Sequence, residues 1–209
     1  MKKLLIAIDI QNDFVTGILG SPEAQFIIPK VIDKVKQYQQ NKDIIVFTRD
    51  THDDNFAKTQ EGATLPIHCK IDTQGHEIIK ELQDIIQKDK VISIDQTFQS
   101  IKALVSKDCQ VLPVSHNAQN KHIFISNKCA FASLDFAQQM IDLVSTYPIN
   151  QIELCGLCTD ICVISIALVL KAALPELPIT VDSQACAGST PQKHQAALLV
   201  LESCQVKVK

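Results

Sequence analysis

Short apolar runs rich in β-branched residues recur along this chain, and between them lie stretches whose apolar residues return roughly every three to four positions. Lys3 to Ile8 reads as an uninterrupted apolar strand, Ile28 to Gln39 carries helical periodicity, and Ile44 to Thr48 is again a β-branched run. An irregular stretch follows from Arg49 to Gly75. Beyond it the pattern predicts a helix over Glu77 to Gln87, a strand over Val91 to Ile94, a helix over residues 98–107, a strand over His122 to Ser126 and a helix over Leu134 to Val144. The remainder reads as a strand (Gln151 to Cys155), a helix (Asp160 to Ala173), a strand (Ile179 to Val181), a helix (Pro191 to Ser203) and a last strand (Gln205 to Val208). Strands that are apolar throughout must be covered on both faces, and parallel neighbours need a crossover between them. The expected fold is therefore α/β: a single-domain, three-layer αβα sandwich with a mostly parallel central sheet, spanning residues 1–209.

Composition narrows the function classes. With 209 residues, 46% of them hydrophobic, the chain can bury one sizeable core, and no repeat, low-complexity segment or linker divides it. A formal charge of −3 with scattered lysines gives no electrostatic footprint for nucleic acid. There is no apolar run of membrane-spanning length, and Met1 to Ile8 reaches Asp9 too early for a signal peptide, so a soluble, cytoplasmic protein is expected. Eight cysteines raise the prospect of disulfides or a zinc knuckle. Neither fits: a chain with a core and no export signal does not need a disulfide framework, and Cys155-x-x-Cys158 has no second pair at suitable spacing. Cys69, Cys109, Cys129, Cys155, Cys186 and Cys204 read as small buried hydrophobes.

In an open parallel sheet, ligands bind beyond the carboxyl ends of the strands. Those ends are compact and polar here: Asp9 after the first strand, Arg49-Asp50-Thr51-His52 after the second, Asn127-Lys128 after the His122 strand, and the Cys158 to Cys162 turn after the Gln151 strand. A carboxylate, an ammonium and a thiol thus converge on one rim from distant parts of the chain. In Leu154 to Val163 a strand passes through a glycine turn into an apolar helix. Free N–H groups at a helix start stabilise a thiolate and can hold an oxyanion, so Cys162 is a candidate nucleophile.

Five separated motifs give the chain a resemblance to the isochorismatase-like cysteine hydrolases, especially their nicotinamidase branch. Asp9-Ile10-Gln11-Asn12-Asp13-Phe14 resembles the D-x-Q-x-D-F opening, Thr48 to His52 the T-x-D-x-H motif, and Pro66-Ile67-His68-Cys69 the P-x-H-C motif. Lys128 to Ser133 is similar to K-x-x-F-x-S, and Gly156 to Val163 to the G-x-x-T-D-x-C-V nucleophile turn. The resemblance implies a catalytic triad of Asp9, Lys128 and Cys162. Asp9 would take the thiol proton and later give it to a leaving amine, while Lys128 would favour both anions. The thiolate would attack a small amide, giving a thioester that water hydrolyses. The resemblance also implies an oxyanion hole from the backbone N–H groups of Cys158 and Cys162, with a cis peptide joining Leu157 to Cys158. A homo-oligomer is a family-level expectation.

The same resemblance implies a divalent metal ion held by Asp50, His52, Glu61 and His68, zinc first and manganese or iron as alternatives. Asp53 and Asp54 compete with Glu61 for the fourth position. Such an ion would bind a ring nitrogen or polarise water. The chain departs from the nicotinamidase pattern where Leu65 and Thr51 replace common tryptophans, and it holds no tryptophan at all. Phe14 and Leu65 are the expected substrate-binding residues, with Phe14 as the stacking wall. The segment between His68 and Lys128, with a loop over Leu112 to Asn117, would reshape the pocket. His76, His116, His122 and His194 lack motif support and read as surface or packing residues. Nicotinamide hydrolysis is the leading function, another small amide, carbamoyl compound or isochorismate-like vinyl ether the alternative. A silent binding module is disfavoured by the intact triad.

Overall fold

In the computed structural model, which describes residues 1–88, 92–93 and 122–209, the chain enters at the centre of a sheet and builds outward in both directions. The strands are β1 (Lys2–Ile8), β2 (Ile44–Asp50), β3 (Ile92–Ser93), β4 (Ile123–Lys128), β5 (Ile149–Leu157), β6 (Ile179–Ala187) and β7 (Lys207–Val208). Their order is β3-β4-β2-β1-β5-β6-β7, and every pairing between them is parallel. The sheet is therefore more uniform than the mostly parallel one expected. The α-helices are α1 (Asn12–Val15), α2 (Pro22–Gln40), α3 (Lys80–Lys88), α4 (Leu134–Thr146), α5 (Ile164–Ala173) and α6 (Pro191–Ser203). α2 lies across β1, β2, β5 and β6 with α3 beside it, while α5 packs between α4 and α6 as the second helical layer. None of the described helices is long and apolar enough to cross a membrane.

Local chemistry moves several boundaries. α2 begins six residues before the expected Ile28, at Pro22, because Ser21 Oγ accepts the Ala24 N–H at 3.0 Å and proline fits the first helical position. Pro29 stays inside that helix, on its exposed side. β6 continues past Val181 through polar Asp182, Ser183 and Gln184 to Ala187, and β5 continues to Leu157. The four-residue α1 has no periodic signal in the sequence. The helix expected over residues 98–107, Cys109, the Leu112–Asn117 loop and His116 lie outside the described residues.

The carboxyl end of β1 is shaped by two backbone constraints. Gly156 of β5 sits opposite Ile8 at φ 125°, and a Cβ there would stand 2.1 Å from the Ile8 carbonyl oxygen. Only glycine lets the strands approach so closely. The next residue of the β1 chain, Asp9, takes φ 52°, a left-handed conformation that is uncommon off glycine and recurs at functional sites.

Away from that rim, Glu153 of β5 ties α2 and the chain end to the sheet. Its side chain, 7% exposed, meets Lys34 Nζ at 2.5 Å and Lys209 Nζ at 2.7 Å, and accepts the Tyr38 hydroxyl at 2.7 Å; Lys34 also meets Asp182 at 2.6 Å. Burial pushes the Glu153 carboxyl up, but the hydrogen bonds from Lys209, Lys34 and Tyr38 outweigh it and bring it down to about 2. A carboxyl lowered on folding adds stability above its unfolded pKa and loses it as the pH falls through the folded one. Urea denaturation of the wild type and Glu153→Gln should therefore show an advantage of about 3 kcal/mol near neutral pH that narrows steadily below about pH 4.5. An advantage unchanged down to about pH 3 would mean that this carboxylate is not held by its partners.

Candidate active site

Three neighbouring strands end in charged side chains that meet inside the protein. Asp50 and Lys128, the last residues of β2 and β4, are register partners, and Asp9 follows β1 directly. Lys128 Nζ lies 2.7 Å from Asp9 Oδ2 and 3.2 Å from Asp50 Oδ1, and donates to Cys162 Sγ at 3.4 Å. All four side chains are buried. Thr48, on β2, locks Asp9 from the other side: its hydroxyl donates to Asp9 Oδ1 at 2.6 Å and accepts the Asp9 N–H at 3.1 Å. Asp9, Lys128 and Cys162 thus come together as the sequence led us to expect, and Thr48 joins them.

Burial controls the protonation states. It raises the Asp9 carboxyl, opposed by Lys128 and reinforced by Asp50. It raises the Cys162 thiol well above its ordinary value, with Lys128 opposing and Asp9 and Asp50 adding to the rise. Burial works against the Lys128 charge, but Asp50, Asp9 and Cys162 overcome it and hold the ammonium firmly protonated. Free N–H groups at a helix start favour a thiolate, but burial here favours the thiol, beside Asp9 and the Lys128 ammonium. The reason is placement. Cys162 sits late in a wide π-type turn, Thr159–Val163, that precedes α5, and the N–H groups of Ile161 and Val163 turn back to the Cys158 carbonyl at 3.0 and 3.1 Å. The Leu157–Cys158 peptide before this turn is cis. Burial pushes the Cys158 thiol up to about 12. The described cysteines are all free, and Cys69, Cys155 and Cys186 are buried.

Beside the triad, one ligand atom from each of Asp50, His52, Glu61 and His68 lies within 4.8 Å of the others. His52 Nε2 and His68 Nε2 approach Asp50 Oδ2 at 3.1 and 3.2 Å, and His68 Nε2 stands 3.7 Å from Glu61 Oε1. His68 Nδ1 donates to the Pro66 carbonyl at 2.8 Å, which fixes the ring so that Nε2 faces the carboxylates. Two imidazoles and two carboxylates turned inward form a donor set that suits a divalent cation. The competing carboxylates are engaged elsewhere: Asp53 accepts the Asn55 N–H at 2.8 Å and Asp54 pairs with Lys70 at 2.5 Å. Burial raises the Asp50 carboxyl, yet Lys128 and hydrogen bonds from His52 and His68 outweigh it and hold it far below the usual carboxylate range.

The opening motif braces this cluster. Gln11 is wholly buried and clasps Asp50 by its backbone, accepting the Asp50 N–H at 2.7 Å and donating to its carbonyl at 2.8 Å, and donates again to the His76 carbonyl at 2.9 Å. Asp13 accepts the N–H of Cys69, next to His68, at 2.8 Å. His76 is a packing residue whose Nε2 meets the Thr51 hydroxyl at 2.9 Å.

A cavity of about 260 Å³ opens onto Asp50, Glu61, His68, Cys158 and Cys162. Phe14 and Leu65, the expected substrate contacts, both line it, and so do Leu19, Phe131, Leu157 and Ile161. Phe14 packs edge-on against His68 with ring centroids 5.4 Å apart. Phe131, 40% exposed at the mouth, was missed although it lies in the lysine motif. Gly188 and Ser189 also line the cavity, and no signal pointed to them because β6 read as ending at Val181.

Comparison with known proteins agrees with this geometry. A model of the isochorismatase domain matches residues 3–103 and 104–208. An isochorismatase family protein of Bacillus subtilis, PncA, is 26% identical over 202 residues, covering 95% of this chain and 93% of its own. A nicotinamidase of Saccharomyces cerevisiae is 25% identical over 148 residues, covering 58% of this chain and 68% of its own. A crystal structure of nicotinamidase/pyrazinamidase PncA from Bacillus subtilis superposes with a TM-score of 0.75 at 25% identity, covering 100% of this chain and 99% of that one.

The four inward donors predict uptake of one divalent cation per chain. Competition with a chromophoric chelator should show His68→Ala weakening that uptake by at least about 100-fold, since even supporting residues around metal sites are worth roughly 10–100-fold. Asp54→Asn should leave it unchanged; equal affinity in the wild type and His68→Ala would place the ion elsewhere.

Proposed function

The chain belongs to the isochorismatase family, and from that membership we propose that it is a cysteine hydrolase of small amides, with nicotinamide, cleaved to nicotinate and ammonia, as its substrate. The single observation that carries this reading is the buried meeting of Asp9 and Lys128 with Cys162, which lines a cavity. A nicotinamidase among the relatives supports the choice of amide.

The proposed chemistry uses the resting states described above. Asp9 takes the Cys162 proton as the sulfur attacks the amide carbonyl carbon, so the thiolate forms only when it is consumed. The carbonyl electrons move to oxygen, which lies against the backbone N–H groups of Cys158 and Cys162; fixed donors of this kind are among the largest single contributions to acyl transfer. Collapse of the tetrahedral species breaks the C–N bond, Asp9 returns its proton to the leaving nitrogen, and ammonia departs. A water then attacks the thioester on Cys162 and gives a proton to Asp9; the C–S bond breaks, the acid is released, and Asp9 passes that proton to the sulfur, restoring the thiol. Lys128 stays protonated throughout and holds Asp9 and the sulfur at fixed separation.

The cavity suits a flat ring. An apolar cavity of about 150 Å³ takes a benzene-sized ligand, and 260 Å³ walled by Phe14, Leu19, Leu65 and Phe131 leaves room for the carboxamide as well. Asp50, His52, Glu61 and His68 fit a divalent ion, zinc by its preference for few nitrogen and oxygen ligands, with manganese or iron as alternatives. When bound, it would supply a Lewis acid for a ring nitrogen or a water.

Ammonia release from a panel of nicotinamide, pyrazinamide and aliphatic amides tests the proposal. The ring amides should be preferred, Cys162→Ala should lower kcat by at least about 10⁴-fold, and Asp9→Asn by about 10²–10⁴-fold. Ammonia released at the wild-type rate by Cys162→Ala would sink the nucleophile assignment; none from any amide would sink the function.

A further inference from the structure

Thr159 follows the oxyanion residue Cys158 and precedes the nucleophile by three positions, and its side chain is wholly buried. Its hydroxyl meets Nδ1 of His194, in the first turns of α6, at 2.8 Å. The next residue, Asp160, gives both carboxylate oxygens to Ser189, Oδ1 accepting the N–H at 2.7 Å and Oδ2 the hydroxyl at 2.6 Å. Between these two fastenings lies Gly188, where a Cβ would stand 2.8 Å from His194 Cβ and 2.9 Å from Asp160 Oδ1. The nucleophile turn is therefore pressed without slack against the junction of β6 and α6.

We propose that His194 is a positioning residue, which by holding the Thr159 hydroxyl fixes the peptide groups after Cys158 and with them the sulfur of Cys162. Its consequence for amide turnover rests on the cysteine-hydrolase function above; its consequence for the place of the sulfur does not. A π-type turn closes wider rings than an α-helix, and such turns recur at functional sites. Here it is steadied by side chains reaching out of it to a separate element. A buried hydroxyl without its partner is strongly disfavoured, so losing the imidazole makes the turn shift until Thr159 finds another. Such a shift tilts the N–H groups that receive the oxyanion. The loss of an entire oxyanion donor lowers kcat by about 10²–10³-fold, so a partial misalignment is worth on the order of tenfold.

The test compares His194→Asn, His194→Leu, Thr159→Val and the double variant His194→Leu/Thr159→Val. Asparagine sets an amide group near the place of Nδ1 and keeps a partner for Thr159; leucine fills similar space with none. Two readouts are taken: the rate at which iodoacetamide alkylates Cys162, located by peptide mass, and kcat and KM for ammonia release from the preferred amide. His194→Leu and Thr159→Val should each slow alkylation and lower kcat on the order of tenfold with KM within about threefold, as for a contact felt mainly in the transition state. His194→Asn should keep most of both rates, and the double variant should be no worse than either single change. Unchanged alkylation and kcat in His194→Leu, an equal loss in His194→Asn, or losses that multiply in the double variant would each overturn the proposal. Should His194→Leu fail to fold, Thr159→Val, which keeps the side-chain shape and removes the same bond, decides the matter. A wild type that cleaves no amide would end the proposed function, and the alkylation rates would still decide the role of His194.

Discussion

A lysine ammonium taken wholly out of water is costly unless carboxylates meet it, the penalty being several kcal/mol per ion before pairing. Lys128 is in that position, and much of the active rim is arranged around it. Asp9 and Asp50 supply the charge, and they do so because β4, β2 and β1 are adjacent in that order and all point the same way. An antiparallel strand among them would carry one of the three groups to the opposite edge. The parallel sheet is thus the condition for the charge cluster as well as for the core. Removing the lysine would leave two carboxylates facing one another in a dry interior, each raising the other.

In the proposed reaction, this arrangement would let a thiol that rests protonated act as the nucleophile. Moving the proton from Cys162 to Asp9 transfers a negative charge from one side of the Lys128 ammonium to the other. The net charge of the buried site does not change, so little of the surroundings must reorganise as the sulfur becomes reactive. Asp50 extends the same field to the second cluster. One of its oxygens faces Lys128 and the other faces His52 and His68, so a single carboxylate, clasped through its backbone by Gln11, sets the distance between the sulfur and the four inward donors.

Much of this was legible in the sequence because it follows from strand ends. Asp9, Asp50, Lys128 and the Cys158–Cys162 turn stand just past apolar runs, and a parallel sheet gathers such positions on one rim. What escaped notice depends on contacts without a local pattern. Thr48 is one more β-branched residue in a strand until its hydroxyl is found on Asp9. Pro22 stands six residues ahead of the expected helix start, yet it opens α2. The polar Asp182-Ser183-Gln184 hides the continuation of β6, and with it Gly188, Ser189 and the anchorage of His194. The burial of Cys162 was legible only in part: its apolar neighbours were plain, but not that burial would outweigh a helix start in setting the thiol's charge.

The lack of tryptophan changes how a flat substrate would be held. Two broad indoles could clamp a ring on both faces, whereas this cavity has one buried wall and one part-exposed one. Phe14 is buried and set edge-on against His68, so its position is tied to the same histidine that turns its Nε2 toward Asp50. Phe131 stands at the mouth, two-fifths exposed. An aromatic pair contributes roughly 0.5–1.5 kcal/mol beyond the area it covers. A ring amide of the proposed class would be oriented from the Phe14 and His68 side, where buried groups converge. The Phe131 side contributes burial with weak discrimination. For the proposed ring amides, such a cavity would be strict about the edge of the ring that faces the carboxylates and the sulfur, and permissive about substituents directed outward past Phe131.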